Sequence, residues 1–243
     1  MAGRPRTKGT GPGIGRKTAG RPKGTGGRAE ELTPDQIHRI DKCLAGSRHE
    51  LRNRAIFYLG LGSGMRISEI IGLEVGDVAD RQRVRGRIVL EHPAPRLRGA
   101  RARHKSPKHS TKSGRSRTVA VSKQAVKHLQ DYLDSRGPSL APTEPLFPSQ
   151  TPRKPGRQTT PRPRRPMTST NAIMILKKMF LAAGVENTSS HSLRRTHANT
   201  LRRNGVDLKV IQEQLGHSSL AVTERYFTID PLETQRAVEQ LRF

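Results

Sequence analysis

The chain has 243 residues, and 46 Lys and Arg against 20 Asp and Glu give it a formal net charge of +26. A charge of this size excludes an ordinary neutral enzyme and makes nucleic acid the first partner to consider. The single Cys43 excludes a disulfide framework and a cysteine-based zinc site, and no apolar run is long enough to span a membrane. We therefore expect a cytoplasmic, nucleoid-associated protein with no membrane partner.

The positive charge is concentrated in three segments that contain no acidic residue. Residues 1–29 carry 8 Lys and Arg, residues 92–117 carry 9, and residues 150–166 carry 6. The rest of the chain is nearly balanced, with 23 positive and 20 negative side chains. We expect a basic tail over residues 1–30 and a nearly neutral domain over 31–230, with basic insertions at 92–117 and 150–166.

The tail is rich in Gly and Pro and has almost no apolar side chains, which predicts disorder. It twice places a Gly-Arg-Pro core before a base, at Gly3-Arg4-Pro5-Arg6 and Gly20-Arg21-Pro22-Lys23. This pattern resembles the AT-hook, which lays an extended Arg-Pro backbone into a narrow minor groove of high negative potential. Generic attraction to phosphate is the alternative explanation of the same four bases.

The first part of the domain predicts three helices and a long hairpin. Thr33-Pro34-Asp35-Gln36 is a capping box with proline in the first helical position. Apolar side chains at helical spacing follow it, and further helices are expected over 51–59 and from near Met65 to Gly72. Apolar runs at 88–90 and 119–121 flank the second basic segment, so that segment is predicted to be a basic hairpin loop.

The second part of the domain is helical. Helices are predicted over 122–136, 169–183, 191–205 and 208–215. A last helix, at 231–243, carries a short apolar stripe that packs either on its own domain or on a neighbouring protomer. The predicted fold class is therefore α+β, mostly helical, with a small antiparallel sheet.

Both basic insertions are predicted to contact DNA. A loop with many basic and no acidic residues is more typical of a phosphate-binding segment than of a loop that is only exposed to solvent. Loops that only increase solubility are the alternative. The predicted contact residues are Arg101, Arg103, Lys105, Lys108, Arg115, Arg153, Lys154, Arg164 and Arg165.

Three constellations carry side chains suited to chemistry. Arg66 stands at the start of a helix, where backbone N–H groups and the helix dipole favour an anion. His191 and Arg194 are three positions apart, a spacing that puts both on one helix face, able to grip one phosphate. Leu215-Gly216-His217 is followed nine positions later by Tyr226.

In order and spacing these motifs resemble those of the tyrosine recombinases, also called the phage integrase or lambda integrase family. The matching segments are GMRISEIIGLEVGDV, TKSGRSRTVAV and HSLRRTHANTLRRNGVDLKVIQEQLGHSSLAVTERY, and the resemblance covers about residues 31–230. It implies a site-specific recombinase that cuts DNA through a 3′-phosphotyrosine and exchanges strands through a Holliday junction. The roles it implies are Arg66 and Arg194 as phosphate clamp, Lys112 as general acid, His191 and His217 as phosphate or proton-transfer ligands, and Tyr226 as nucleophile.

Elementary chemistry is consistent with these roles. Two guanidinium groups neutralise the phosphodiester and the charge that grows on it, so we expect no metal and no cofactor. A phosphotyrosine keeps roughly the energy of the bond it replaces, so no ATP is implied. A lysine surrounded by cations has a lowered pKa and can protonate the departing 5′-oxygen.

Three alternatives stay open. Lys105 or Lys108 could replace Lys112 if the hairpin has a different register, because the basic loop looks like an insertion. The activity could be that of a type IB topoisomerase, which uses similar chemistry on one duplex. A third alternative is a basic DNA-binding protein on this fold without catalysis.

The chain departs from the family pattern in one respect. Only about 30 residues precede the first catalytic helix, too few for the separate core-binding domain that most tyrosine recombinases carry. The layout is similar to that of the small fimbrial-switch recombinases, and we expect the tail and loops to hold DNA instead. The implied partners are double-stranded DNA with paired inverted-repeat core sites, further copies of the chain (a monomer free in solution, a homotetramer on DNA) and, where needed, an accessory DNA-bending protein.

Overall fold

A computed structural model describes residues 29–90, 116–150 and 164–224, together with Phe227, Gln235, Val238 and Glu239. Lys112 and Tyr226 lie outside the described residues, as do nearly all of the tail and most of the last predicted helix. Of the predicted DNA contacts, only Arg164 and Arg165 are described, and both are exposed. The others fall outside: Arg4, Arg6, Arg21, Lys23, Arg101, Arg103, Lys105, Lys108, Arg115, Arg153 and Lys154.

The described residues are mostly helical and include two small antiparallel hairpins, which confirms the predicted α+β class. The helices are α1 (Pro34–Leu44), α2 (Glu50–Ser63), α3 (Ile67–Gly72), α4 (Val75–Val78), α5 (Lys123–Ser135), α6 (Ser169–Ala182), α7 (Ser190–Arg203), α8 (Leu208–Leu215) and α9 (Leu220–Glu224). The strands are β1 (Ala79–Asp80), β2 (Arg83–Val84), β3 (Arg87–Leu90) and β4 (Arg117–Ala120).

The local signals at helix α1 are confirmed. The Thr33 hydroxyl accepts from the Gln36 N–H at 3.2 Å, and the Gln36 side chain accepts from the Thr33 N–H at 2.9 Å. These reciprocal bonds satisfy two of the N–H groups that a helix start leaves without a helical partner.

Helix α2 is the central helix of the core, and it extends four residues past the predicted end at residue 59. Gly60 marks a close approach and not a helix end, because a Cβ there would lie 2.7 Å from Leu193 Cδ1 on α7. Most apolar side chains of α2 are buried, among them Ile56, Phe57 and Leu59, and the helix packs chiefly on α5 and α7. Burying each contributes about 1.5–3 kcal/mol, so the end of α2 is firmly fixed inside the domain.

Strands β3 and β4 flank the basic segment 92–117 and form a hairpin, as predicted. The strands pair antiparallel, from Arg87 opposite Ala120 to Leu90 opposite Arg117. The smaller β1–β2 hairpin and helices α4 and α9 were not predicted, since each is too short to show a hydrophobic period. Within the described residues no helix is both long and apolar enough to cross a membrane.

Candidate active site

Arg66 stands at the N-cap of α3 and is held there by Glu69. One Glu69 oxygen accepts from the Arg66 backbone N–H at 2.8 Å, and the other accepts from Arg66 Nη1 at 3.0 Å. The carboxylate is fully buried, whereas the Arg66 side chain is 23% exposed. The backbone of Arg66 is therefore fixed by the buried Glu69, while its guanidinium group remains accessible to a ligand.

A second arginine, Arg117 at the start of β4, binds the same carboxylate. Its Nη1 and Nη2 donate to the two Glu69 oxygens at 3.2 and 2.9 Å. Burial by itself raises the pKa of Glu69, but the hydrogen bonds and charges of Arg117 and Arg66 outweigh it and hold that pKa below its usual value. Glu69 is thus an anion at neutral pH that joins two guanidinium groups.

Arg117 also packs directly on the residue before His217. Gly216 ends α8 in the left-handed conformation, with φ of 65°, and a Cβ at that position would lie 2.6 Å from Arg117 Nη1. Glycine is required twice here, by the backbone angle and by the guanidinium that lies against it. The strand that begins with Arg117, β4, therefore meets the end of α8.

Arg194, on α7, is the most deeply buried of the candidate residues, with 1% of its surface exposed. Its Nη1 donates to the Gly64 carbonyl and its Nη2 to the Leu215 carbonyl, both at 2.6 Å. Those carbonyl groups orient the guanidinium without neutralising its charge. Gly64 lies two residues before Arg66, and Leu215 lies directly before Gly216. Arg194 therefore connects the Arg66 motif with the Leu215-Gly216-His217 motif.

His217 completes the cluster. The side chain is 8% exposed, and its Nδ1 lies 2.8 Å from the hydroxyl of Thr223 on α9, which fixes the ring. Burial, together with the nearby charges of Arg194, Arg66 and Arg117, lowers the pKa of His217 to about 3. The imidazole is therefore neutral at physiological pH and lies in the electric field of three guanidinium groups. We call these three residues, Arg66, Arg117 and Arg194, the arginine cluster.

A cavity of about 620 Å³ adjoins this cluster. Arg117, Gly216 and His217 line it, together with the base Lys209 and the acid Glu213. A space of this size, next to a cationic cluster, can hold a phosphodiester and parts of the neighbouring sugars.

The structure thus brings together Arg66, Arg194 and His217, which the sequence placed in three separate motifs. His191 lies in the first turn of α7 with its side chain exposed, one turn before the buried Arg194. Its share in gripping the same phosphate stays a prediction, as do the roles of Lys112 and Tyr226.

Sequence reasoning missed Glu69, Arg117 and Thr223. The spacing of Glu69, three positions after Arg66 at a helix start, is a capping signal and could have revealed it. Arg117 gave no local signal, because its partner Glu69 lies 48 positions away. The described residues hold no group of three or more His, Cys, Asp or Glu arranged to bind a metal ion.

Residues 30–233 match the model of the Phage integrase family. The chain belongs to this family. Among curated phage integrase relatives, the tyrosine recombinase XerC of Pelobacter propionicus is 32% identical over 176 residues, which are 72% of this chain and 47% of the relative. The tyrosine recombinase XerA of Thermococcus kodakarensis is 29% identical over 211 residues, 87% of this chain and 62% of the relative.

Solved structures of phage integrase relatives have the same fold. A crystal structure of XerA recombinase matches with a TM-score of 0.63 at 24% identity, covering 88% of this chain and 66% of that one. The Tn1549 transposon integrase, in complex with a circular intermediate DNA, matches with a TM-score of 0.65 at 21% identity, covering 88% and 67%. The predicted tyrosine recombinase catalytic domain is thus confirmed, and the chain spans about half the length of the curated relatives that it matches.

Acid is expected to destabilise this phage integrase domain below about pH 6.5. Burial lowers the pKa of His197 to about 4 and that of His217 to about 3, from a usual 6.5. Between pH 6.5 and the lowered pKa, each histidine is protonated in the unfolded chain but stays neutral in the folded one. Each histidine therefore removes up to about 1.4 kcal/mol of stability per pH unit as the pH falls through this range. Urea midpoints at pH 7.5 and 5.0 measure the loss, and His217→Gln should reduce it. Equal midpoints at the two pH values would contradict the assignment.

Proposed function

We propose that this phage integrase domain is a site-specific DNA recombinase that cuts and rejoins strands through a 3′-phosphotyrosine at Tyr226 and a Holliday junction. The observation that carries the proposal is the convergence of Arg66, Arg117 and Arg194 around neutral His217, with Arg117 and His217 lining one cavity. The family and its recombinase relatives support the same activity.

The charge of the cluster suits the transition state better than the ground state. Three guanidinium groups and the Glu69 carboxylate sum to two positive charges. A phosphodiester carries one negative charge, and it gains a second as the tyrosine oxygen adds and a pentacoordinate phosphorus forms. A site that is complementary to the doubly charged species accelerates the reaction, because it binds the transition state more tightly than the substrate.

The nucleophile is assigned to Tyr226, one of three tyrosines in the chain. Tyr58 and Tyr132 are buried in the core, and burial raises the pKa of Tyr58 to about 12. Tyr226 is three positions after Thr223, which binds His217, and this short spacing in the sequence supports the assignment. In the step, the tyrosine oxygen passes its proton to a neutral imidazole, His217 or His191, and bonds to phosphorus, and the bond from phosphorus to the 5′-oxygen breaks.

The leaving 5′-oxygen takes its proton from Lys112, with Lys105 and Lys108 as alternatives in the same loop. All three lie in the segment that β3 and β4 close, and Lys112 is five positions before Arg117. His191 and His217 serve as further phosphate or proton-transfer ligands. Binding of an anionic phosphate beside His217 raises its pKa again, which makes the neutral ring a better acceptor for the proton that Tyr226 loses. The energy of the phosphodiester is kept in the phosphotyrosine, so the scheme needs neither ATP nor metal.

The proposed partner is double-stranded DNA with paired inverted-repeat core sites, bound by a homotetramer that forms from monomers on the DNA. The exposed Arg164 and Arg165, at the edge of the second basic insertion, support phosphate contacts there. The transposon integrase neighbour, whose structure contains DNA, supports the same class of partner. The division into a basic tail, a catalytic domain with two basic insertions and a C-terminal helix is part of the proposal, as are an accessory DNA-bending protein and a place in the nucleoid.

The test is covalent trapping on duplexes from the DNA that flanks the gene, chosen for paired inverted repeats. Each carries a 5′-bridging phosphorothiolate, whose sulfur leaves and does not rejoin. We expect a covalent complex whose peptide carries the phosphate on Tyr226. Relaxation of supercoiled plasmid without strand transfer would favour a topoisomerase, and binding without any covalent complex would favour a non-catalytic DNA-binding protein.

A further inference from the structure

The side-chain amide of Gln214, on α8, joins three elements around the arginine cluster. Its oxygen accepts from the Ala120 N–H at 3.0 Å, and its nitrogen donates to the Ala120 carbonyl at 2.8 Å and to the Ser63 carbonyl at 3.0 Å. Both N–H bonds and the oxygen of the amide are thus engaged. No other common side chain of this length can donate twice and accept once in this arrangement.

Ala120 offers these groups because of its place in the β4 ladder. The Val121 N–H donates to the Gly86 carbonyl across the hairpin at 2.9 Å. Residues of an antiparallel strand alternate between bonding to the partner strand and pointing away from it, so both backbone groups of Ala120 face away from β3. Gln214 binds that outer edge as a third strand would.

The elements joined by Gln214 carry the candidate active site. Ser63 precedes Gly64, whose carbonyl accepts from Arg194, and Leu215, next to Gln214, supplies the other carbonyl that binds Arg194. Strand β4 begins at Arg117 and ends at Ala120. One end of β4 is therefore fixed by Glu69 and the other by Gln214.

We propose that Gln214 is a positioning residue that holds the β3–β4 hairpin in register with the arginine cluster. The inference rests on the proposed function, because the hairpin closes the loop that holds Lys112, Lys105 and Lys108. Under the proposed function the proton donor stands between β3 and β4 in the chain, so we expect a displaced β4 to misplace that donor. Gln214 itself contacts no substrate atom in this scheme.

The experiment separates proton donation from phosphate binding by changing the leaving atom. With a 5′-oxygen, the bond from phosphorus to oxygen breaks and the oxygen takes a proton from the lysine ammonium group. With a 5′-bridging sulfur, a thiolate leaves without needing that proton. A general acid contributes about 10²–10⁴-fold to such a step, so partial misplacement of the lysine is expected to slow only the oxygen substrate.

In Gln214→Met, which keeps the side-chain length but removes all three bonds, single-turnover cleavage of the oxygen substrate should slow about 10–100-fold. Cleavage of the sulfur substrate should change less than about threefold, which is the signature of lost proton donation. Gln214→Glu, which cannot donate to the two carbonyl groups, should show the same split. Arg66→Lys should slow both substrates, because it weakens the cluster itself.

The chain offers a matched control in Gln130→Met. Gln130, on α5, accepts from the Val84 N–H at 2.9 Å and donates to the Gln82 carbonyl at 3.0 Å, so it binds the β1–β2 hairpin in the same manner. That hairpin bears none of the candidate catalytic residues. Gln130→Met should lose similar hydrogen bonds and cleave both substrates at wild-type rates.

Equal slowing of both substrates by Gln214→Met, or no slowing, would overturn the proposal. Hydrogen exchange at the Ala120 amide gives a second readout that needs no DNA substrate. This exchange should become faster in Gln214→Met, because the amide loses its acceptor. If wild type cleaves neither substrate, the proposed function fails, and the inference falls with it even if the Ala120 amide exchanges faster.

Discussion

Tyr226→Phe is expected to form no covalent complex with DNA, while its binding to the same duplex stays at the wild-type level. The substitution removes one oxygen atom and keeps the ring, so the arginine cluster and the basic surfaces are left intact. Removing the nucleophile of an enzyme that acts through a covalent intermediate lowers the rate by at least about 10⁴-fold. Denaturing gels measure the covalent product on the phosphorothiolate duplex, and a gel-shift titration measures binding.

The matched control for Tyr226→Phe is Tyr58→Phe. Tyr58 stacks on His128, with ring centroids 4.1 Å apart, and burial together with the nearby Asp41 raises the pKa of its hydroxyl to about 12. Loss of that hydroxyl should cost about 1 kcal/mol of stability and leave the covalent complex unchanged. A Tyr226→Phe protein that still traps DNA would refute the nucleophile assignment.

Local sequence signals predicted the helices well where caps or breaks define their ends. Helix α8 has both predicted ends, because Asp207 caps its start and Gly216 ends it in the left-handed conformation. The end of α2 was wrong, since Gly60 serves close packing on Leu193 and does not break the helix. A sequence shows that a glycine is present, but only the packed neighbour shows which of its two uses applies.

The same distinction between local sequence signals and long-range packing applies to the residues of the candidate site. Arg66, Arg194 and His217 stand in motifs with their own local pattern, so they could be named from the sequence. Arg117 and Gln214 act through partners 48 and 94 positions away, and no periodicity in the chain encodes such pairs. Long-range polar contacts depend on how the elements pack, which a single sequence does not specify residue by residue.

Glu69→Gln is expected to lower the free energy of unfolding by about 3–5 kcal/mol, because it removes one partner of a buried ion pair and leaves the other charges behind. Both carboxylate oxygens accept from Arg66 and from Arg117. A glutamine amide must point its own N–H groups at one of these donor pairs. Two guanidinium groups are then left without their anion, and the melting temperature should fall by about 10 °C.

The pH dependence of that loss identifies its cause. The pKa of Glu69 is held below its usual 4.5, so the carboxylate stabilises the fold above that pH and its contribution disappears as the pH falls through the lowered value. The stabilities of wild type and Glu69→Gln should therefore differ at pH 7 and converge in strong acid.

The exposed Glu186 provides the control, since Glu186→Gln should change stability by less than about 0.5 kcal/mol. Inorganic phosphate should recover more stability in Glu69→Gln than in wild type, because an added anion replaces the missing charge between Arg66 and Arg117. An equal melting temperature for Glu69→Gln and wild type at pH 7 would show that the carboxylate does not hold the arginine cluster together.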